Sequence, residues 1–159
     1  MGMIPPRARR SPVSPDQCNL AKAINLLGDK WTLMILRAAL YGVRRFDDFQ
    51  AELGAPRTML SNRLKRLIDS GLLEKSVYRE PGKRRRTEYV LTRKGIALRP
   101  ILIGLNQWSD HWLSEPDVSP PIAFSSKSGS PVRASFVDSN GREVLPGSIR
   151  VTLKKIGTA

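Results

Sequence analysis

The chain has 159 residues, a length that fits one ordinary domain with a small appendage. It carries 27 Lys+Arg against 14 Asp+Glu, and a formal net charge of +13 predicts a polyanionic partner. The single cysteine excludes a disulfide framework within the chain and a multi-cysteine zinc site. The longest apolar run, residues 31–40, is too short to cross a bilayer, so we expect no membrane segment and a cytoplasmic location.

Composition divides the chain into four parts. Residues 1–15 are rich in Pro, Ser and Arg, and predict a flexible basic arm. Residues 16–114 hold the periodic apolar pattern of a folded domain, and residues 115–130 have the Pro and Ser content of a linker. Residues 131–159 predict a small β appendage with strands near 132–137, 142–145 and 149–153, because an Asn-Gly turn at 140–141 separates the first two.

Four helices are predicted between residues 16 and 70. Asp16 is the expected N-cap of the first, in which Leu20 and Ile24 share one face, and Asp29 is the expected N-cap of the second. A short third helix covers residues 46–53, and a Gly-Ala-Pro turn at 54–56 leads into a fourth over about 56–70. The predicted buried stripe of the second helix consists of Trp31, Met34, Ile35, Ala38 and Ala39.

The period changes after residue 71. Residues 72–78 and 87–91 are rich in β-branched, aromatic and aliphatic side chains and flank a basic connection, which predicts a β-hairpin. Residues 93–113 predict a long fifth helix, capped by Thr92, that Pro100 would kink or split. The predicted fold class is therefore mainly α with a small β-hairpin (α+β): a winged helix-turn-helix with a small C-terminal β appendage.

The two faces of the fourth helix suggest its role. Leu60, Leu64, Leu67 and Ile68 cluster on one side and are expected to pack inward. The opposite side carries Thr58, Ser61, Asn62 and Lys65, and no acid occurs from 56 to 68, whereas an ordinary solvated helix face mixes acids and bases. We predict that this face contacts DNA in the major groove, with Arg57 and Arg66 within reach. An exposed face with no ligand is the open alternative.

Further cations are candidates for binding phosphate. Four consecutive basic residues occupy the predicted hairpin tip, where a wing binds DNA beside the groove; a merely solubilising or nuclear-localising run is the alternative. Other basic residues precede the third helix or lie at the start of the second. The complete set of predicted phosphate ligands is Lys83, Arg84, Arg85, Arg86, Lys30, Arg44 and Arg45.

Residues 18–114 resemble the winged-helix core of the HxlR-type transcriptional regulators of bacteria. The resemblance rests on Cys18 shortly before the first helix and on a series of motifs in the expected order. These are Leu-Leu-Gly-Asp-Lys-Trp-Thr (26–32), Ile-Leu-Arg (35–37), Arg-Arg-Phe-Asp-Asp-Phe (44–49), Met-Leu-Ser-Asn-Arg-Leu-Lys-Arg-Leu (59–67), Ser-Gly-Leu-Leu-Glu-Lys (70–75) and Thr-Glu-Tyr-Val-Leu-Thr-Arg-Lys-Gly (87–95). Pro56 and the strongly basic wing depart from the family pattern, as does an appendage without zinc-binding cysteines.

The resemblance implies a homodimer bound to palindromic operator DNA, with repression as the usual outcome. Dimerisation would use the first helix and the C-terminal long helix, and half-sites would lie about 10 bp or a multiple apart. The predicted interface residues are Leu20, Ile24, Leu105, Trp108 and Trp112. The alternative for the two tryptophans is that they close the core of the monomer.

The releasing signal is left open by the sequence. The resemblance makes Cys18 a possible redox sensor, and an inert apolar cysteine at the interface is the alternative. A small aromatic or other apolar effector is equally compatible. One His, one Cys and no glycine-rich phosphate loop predict that the protein is not an enzyme and holds no cofactor or metal, with His111 in a structural role. A winged-helix module that binds RNA or a protein is the alternative function.

Overall fold

The computed structural model describes residues 14–79, 82, 85–115 and 122–151. The predicted arm up to residue 13, and Lys83 and Arg84 of the predicted wing, lie outside these residues. The helices are α1 (Asn19–Leu27), α2 (Lys30–Leu40), α3 (Phe46–Leu53), α4 (Arg57–Asp69), α5 (Arg93–Ile96) and α6 (Arg99–Trp112). The strands are β1 (Leu73–Tyr78), β2 (Arg86–Leu91), β3 (Phe136–Val137) and β4 (Glu143–Val144). This order confirms the predicted mainly helical fold with a small antiparallel hairpin.

The start of α2 follows the prediction. The carboxylate of Asp29 accepts hydrogen bonds from the Thr32 backbone N–H, at 3.0 Å, and from the Thr32 hydroxyl. These bonds satisfy a backbone donor that the helix itself leaves free. Burial raises the pKa of Asp29, but the Thr32 hydrogen bonds and the nearby charges of Arg63 and Arg66 outweigh it, so the pKa is lowered.

The predicted cap of α1 is wrong. Asp16 lies within a 3-10 turn, Pro15–Gln17, and Cys18 occupies the N-cap position without a side-chain capping hydrogen bond. The prolyl residue at 15 fixes φ and starts this separate turn, which delays the α-helix to Asn19.

The core lies between α2, α3, α4 and the start of β1. Phe49 of α3 and Leu60, Leu64 and Leu67 of α4 are at most 1% exposed. The buried stripe of α2 differs from the prediction, because Thr32 and Leu36 join Ile35 and Ala38 in the core. The predicted members Trp31, Met34 and Ala39 are half-buried at its edge.

A tight turn sets the angle between α3 and α4. Gly54 has φ of +59°, a conformation that other residues rarely adopt, and Ala55 is buried against the core. The expectation that Pro56 opens the helix is wrong by one position: Pro56 is the N-cap, and its carbonyl accepts from the Leu60 N–H at 2.9 Å. The turn thereby fixes where the face of α4 points.

The wing is the β1–β2 hairpin, in which Tyr78 pairs with Arg86 at the outer end and Leu73 with Leu91 at the inner end. Two contacts hold it against the helices. The N–H of Tyr89 donates to the Arg44 carbonyl at 2.8 Å, and the Tyr89 ring packs edge-on against Phe49 with centroids 6.4 Å apart. The base of the wing is therefore attached to the segment that begins α3.

The predicted fifth helix is split into α5 and α6. The turn at residues 97–98 interrupts it, and Pro100 stands in the first turn of α6. Pro100 has no N–H to donate to the carbonyl of Ile96, so a continuous helix would lose that bond. The capping prediction for Thr92 is confirmed, since its hydroxyl accepts from the Gly95 N–H at 3.1 Å.

The C-terminal appendage packs on α6. The N–H of Ala134 donates to Oε1 of Gln107 at 2.9 Å, and the hairpin pairs Phe136 with Val144. Its two strands are shorter than predicted, and the third predicted strand is wrong for residues 149–151, which form no strand in the described part of the chain. Residues 122–125, in the predicted linker, lie against α2 and α6 beside a cavity.

Candidate nucleic-acid interface

The faces of α4 are arranged as predicted. Leu60, Leu64 and Leu67 are buried in the core, and Ile68 is half-buried. Thr58, Ser61, Asn62 and Lys65 are exposed on the other side. We call these four residues the α4 face. It presents hydroxyl, amide and ammonium groups, which can pair with base edges and phosphates.

A shallow depression of about 440 Å³ lies at the N-terminal end of the α4 face. It is lined by Phe46, Arg57, Thr58, Ser61 and Asn62. Its wall thus combines the start of α3 with the first turns of α4. The polar groups of the α4 face therefore lie beside an aromatic ring and a guanidinium, without a carboxylate in the lining.

Arg57 connects α4 to α3. Its Nη1 donates to Oε1 of Gln50 at 3.0 Å and lies 3.6 Å from Oδ1 of Asp47, and its guanidinium stacks on the Phe46 ring at 4.9 Å. The side chain is exposed, so each contact contributes little to stability. Together these contacts fix the orientation of the Arg57 guanidinium, which the sequence had located only near the start of the fourth helix.

Arg44 and Arg45 lie against the wing. Besides the bond of its carbonyl to Tyr89, Arg44 approaches Oε1 of Glu88 at 3.9 Å. The guanidinium of Arg45 stacks on the Tyr78 ring at 4.6 Å. Because Phe46 follows directly, these two arginines join the wing to the depression beside the α4 face.

Arg85 and Arg86 are exposed at the end of the wing, with Arg86 the first residue of β2. They are the described part of the basic run, whose other two members lie outside the described residues. Contacts thus connect the α4 face to Arg57, Arg57 to the segment 44–46, and that segment to the wing. The structure brings most of the predicted DNA-binding residues into one connected surface.

Of the predicted DNA-binding residues that the structure describes, Lys30 is the one that no contact connects to this surface. Its Nζ lies 5.5 Å from the centre of the Trp31 ring, at the first position of α2. Asp29, its neighbour, approaches Nε of Arg63 on α4 at 3.4 Å. The N-terminus of α2 is therefore held beside α4, and Lys30 has no described contact with the α4 face.

Two cations of α4 have protein partners that the sequence did not indicate. Nζ of Lys65 lies 2.7 Å from Oδ2 of Asp69, an acid just past the segment whose lack of acids was noted. Nη2 of Arg66 donates to the Asn25 carbonyl at 2.7 Å, which ties α4 to α1. The exposed Arg66 side chain therefore connects two helices, and its contact with DNA stays a prediction.

The predicted dimer residues form exposed apolar surface. Leu20 and Ile24 of α1 are 67% and 56% exposed, and Trp108 and Trp112 of α6 are 52% and 68% exposed; Leu105 is also half exposed. The tryptophans therefore do not close the monomer core, which removes that alternative. Spacings of three and four residues place the α6 side chains on one side of the helix.

Cys18 is half-buried at the N-cap of α1.

Within the part of the chain that the structure describes, no three His, Cys, Asp or Glu residues come together as a metal site. No helix among those same residues is long and apolar enough to cross a membrane.

Helices α3 and α4, the turn between them and the attached wing define this chain as a winged helix-turn-helix protein of the transcriptional-regulator class. The family model of HxlR-like helix-turn-helix proteins matches residues 26–117, which is more than half of the chain. The chain belongs to this family. Its members are transcriptional regulators and not enzymes, which confirms both the resemblance and the prediction that it is not an enzyme.

Similar proteins extend across the helical domain. The HTH-type transcriptional regulator Rv3095 of Mycobacterium tuberculosis is 41% identical over 104 residues, 65% of this chain and 64% of that protein. YvaP of Bacillus subtilis, also an HTH-type transcriptional regulator, is 37% identical over 58% of this chain and 84% of its own. The match therefore spans slightly under two thirds of the mycobacterial relative.

The crystal structure of PA1607, a proposed transcription factor, superimposes with a TM-score of 0.73 at 30% identity. The superposition covers 86% of this chain and 95% of PA1607. The helical domain, residues 16–114, is a smaller part of this chain than the superposition covers. The similarity therefore extends beyond the winged helix into the C-terminal appendage.

Proposed function

We propose that this protein is a homodimeric repressor that binds palindromic operator DNA, with α4 in the major groove and the wing along the phosphate backbone. One observation carries the proposal: the α4 face is continuous, through Arg57 and the segment 44–46, with the basic wing. In a helix-turn-helix, the second helix reads base edges while flanking elements bind the backbone. The α4 face supplies groups for base edges, and Arg57, the segment 44–46 and the wing supply groups for the backbone beside it.

The proposed division of roles follows from side-chain chemistry. Thr58, Ser61, Asn62 and Lys65 have polar or cationic groups that can pair with base edges, so they supply sequence preference. Arg57 and the remaining cations bind phosphates. The cations in this second role are Lys30, Arg44, Arg45, Lys83, Arg84, Arg85 and Arg86.

A homodimer is supported by the apolar rows on α1 and α6. Large apolar side chains that stay half exposed in one chain are typical of an interface. In a two-fold dimer, the same surface from each copy meets its counterpart. The distance between the two α4 helices would then be set by α6, and operator half-sites would lie about 10 bp or a multiple apart.

A signal that changes DNA binding completes the proposal. It is either a small molecule or oxidation of Cys18, the only cysteine in the chain. With no partner cysteine in its own chain, Cys18 would form a disulfide between subunits, a mixed disulfide or a sulfenic acid. All of these steps take place in the cytoplasm in this proposal.

Replacing Trp108 by Glu should dissociate the dimer and weaken operator binding by about 100-fold, since a monomer loses the linked second half-site. Sedimentation velocity measures the first effect, and footprinting on DNA upstream of the protein's own gene measures the second. Val151→Glu is the matched control, because Val151 is 94% exposed in the C-terminal appendage and belongs to neither α6 nor the wing. A Trp108→Glu protein that stays dimeric and protects both half-sites would contradict this interface.

A further inference from the structure

A cavity of about 670 Å³ lies between α2, α6 and the C-terminal segment, and it shares no lining residue with the depression beside the α4 face. Its volume is typical of sites for small molecules. Most of its wall is apolar, with the three elements each contributing. The apolar lining residues are Leu33, Met34, Leu40, Tyr41, Leu102, Ile103, Leu105, Ile122, Ala123, Phe124 and Val132.

One polar atom in this wall is left without a partner. Oδ1 of Asn106 is buried and accepts no hydrogen bond from the described residues. A buried acceptor without a donor is costly, and native proteins rarely keep one without a reason. Asn106 lines the cavity, so a rotation of its side chain would bring this buried oxygen to a donor on a bound molecule and remove this cost.

Two arginines also line the cavity, and they differ in their partners. Nη1 of Arg37 lies 3.0 Å from Oε1 of Glu52, and its guanidinium stacks on Tyr41 at 4.8 Å. Arg99 is exposed and has no ion pair within the described part of the chain. Arg99 and Asn106 are seven residues apart on α6, which places them on one side of the helix about 10.5 Å apart along its axis.

We propose that this cavity binds an elongated aromatic anion: a hydroxyl or N–H group at one end donates to Oδ1 of Asn106, and a carboxylate or similar anion at the other end pairs with Arg99. The apolar wall between them suits fused or linked aromatic rings. As a regulatory signal, this ligand rests on the proposed function. Its route to DNA binding is Leu105, which lines the cavity and also belongs to the exposed α6 row.

Binding to the DNA-free protein tests the site with a matched pair of compounds, 6-hydroxy-2-naphthoate and 6-methoxy-2-naphthoate. Only the first has a hydroxyl donor. Titration calorimetry should show one site per chain and roughly tenfold tighter binding of the hydroxy compound. Asn106→Leu should remove this preference while still binding the methoxy compound, which also demonstrates that the variant is folded. Failure of both compounds to bind, or a preference that survives in Asn106→Leu, would overturn the proposal.

A second variant tests the anionic end. Arg99→Gln should weaken both compounds by the same factor, roughly tenfold, whereas Arg93→Gln on α5 should leave both unchanged, since Arg93 is exposed and does not line the cavity. Equal effects of the two substitutions would assign the loss to net charge and overturn the pairing with Arg99. Ala123→Trp should block both compounds, and unchanged binding there would locate them elsewhere.

This experiment is independent of DNA recognition, because it measures binding to the protein alone. A protein that binds both compounds as expected but shows no operator preference would refute the proposed function and leave the ligand site standing. The regulatory link has its own measurement: saturating 6-hydroxy-2-naphthoate should change operator affinity in wild type and leave it unchanged in Ala123→Trp, which blocks the cavity, at the same concentration. An unchanged wild-type affinity would refute that link.

Discussion

Replacing Asn62 by Glu should abolish sequence-specific DNA binding, with a loss of at least about 100-fold in operator affinity. Asn62 is exposed in the middle of the α4 face and lines the depression beside Ser61. The substitution removes an amide that can pair with a base edge and places a carboxylate against a polyanion. Stability should change by less than about 0.5 kcal/mol, because the side chain packs against nothing in the core.

The matched control is Asn140→Glu, which makes the same chemical change in the exposed turn of the appendage hairpin. It should leave operator affinity within about twofold at 0.15 M salt, where surface charges farther away than a Debye length are screened. Fluorescence anisotropy with labelled operator measures both variants. Equal losses in the two would mean that net charge, and not the α4 face, determines specificity.

Replacing Arg85 and Arg86 together by Ala should lower DNA affinity roughly 50-fold at about 0.1 M salt. Both are exposed on the wing, and each phosphate contact that is lost removes about 0.9 from the slope of log affinity against log salt. The slope should therefore become shallower by about 1.8. Operator and random duplex should lose affinity by the same factor, since phosphate contacts carry no direct sequence information.

Arg142 and Arg150 provide the control pair, because both are exposed in the appendage and their replacement by Ala removes the same charge. The control should leave the salt slope unchanged. Anisotropy titrations at four salt concentrations separate the two double variants. A wing variant that loses operator affinity but keeps its affinity for random duplex would contradict a phosphate-binding wing and assign base recognition to it.

Much of the helical domain could be predicted because its signals are local. Asp29 caps α2 through its own side chain, and the Gly-Ala-Pro turn ends α3 and orients α4 within a few residues. The segments rich in β-branched, aromatic and aliphatic residues on each side of a basic loop identified the wing. For these elements, sequence and tertiary packing favour the same structure.

Other features depend on packing against distant parts of the chain. Pro100 predicted a kink or a split in the fifth helix, and the split at residues 97–98 accompanies a contact of α5 on the chain before β1. There, a Cβ added to Gly95 would lie 2.2 Å from the Leu72 carbonyl oxygen. Arg66 carries the charge expected of a DNA ligand, yet it bonds to the carbonyl of Asn25, which is 41 residues away in sequence. No local pattern reports such a contact.

The candidate ligand cavity depends entirely on tertiary structure. Its walls come from α2, α6 and residues 122–132, and the last of these were predicted partly as linker. The available sequence signal was Asn106, an amide set among the apolar residues of α6. An isolated polar residue in an apolar stripe is compatible with a core hydrogen bond as well as with a ligand, so the distinction required its unpartnered oxygen.

The central claim is sequence-specific recognition of duplex DNA, and a competition measurement tests it most directly. Labelled duplex from upstream of the protein's own gene is bound at 0.15 M salt and displaced by unlabelled upstream duplex, scrambled duplex of equal length, or single-stranded RNA. We expect the upstream duplex to compete at least about 10³-fold better than the scrambled duplex. Equal competition by the two duplexes, or stronger competition by RNA, would contradict the account and favour a winged-helix module with another partner.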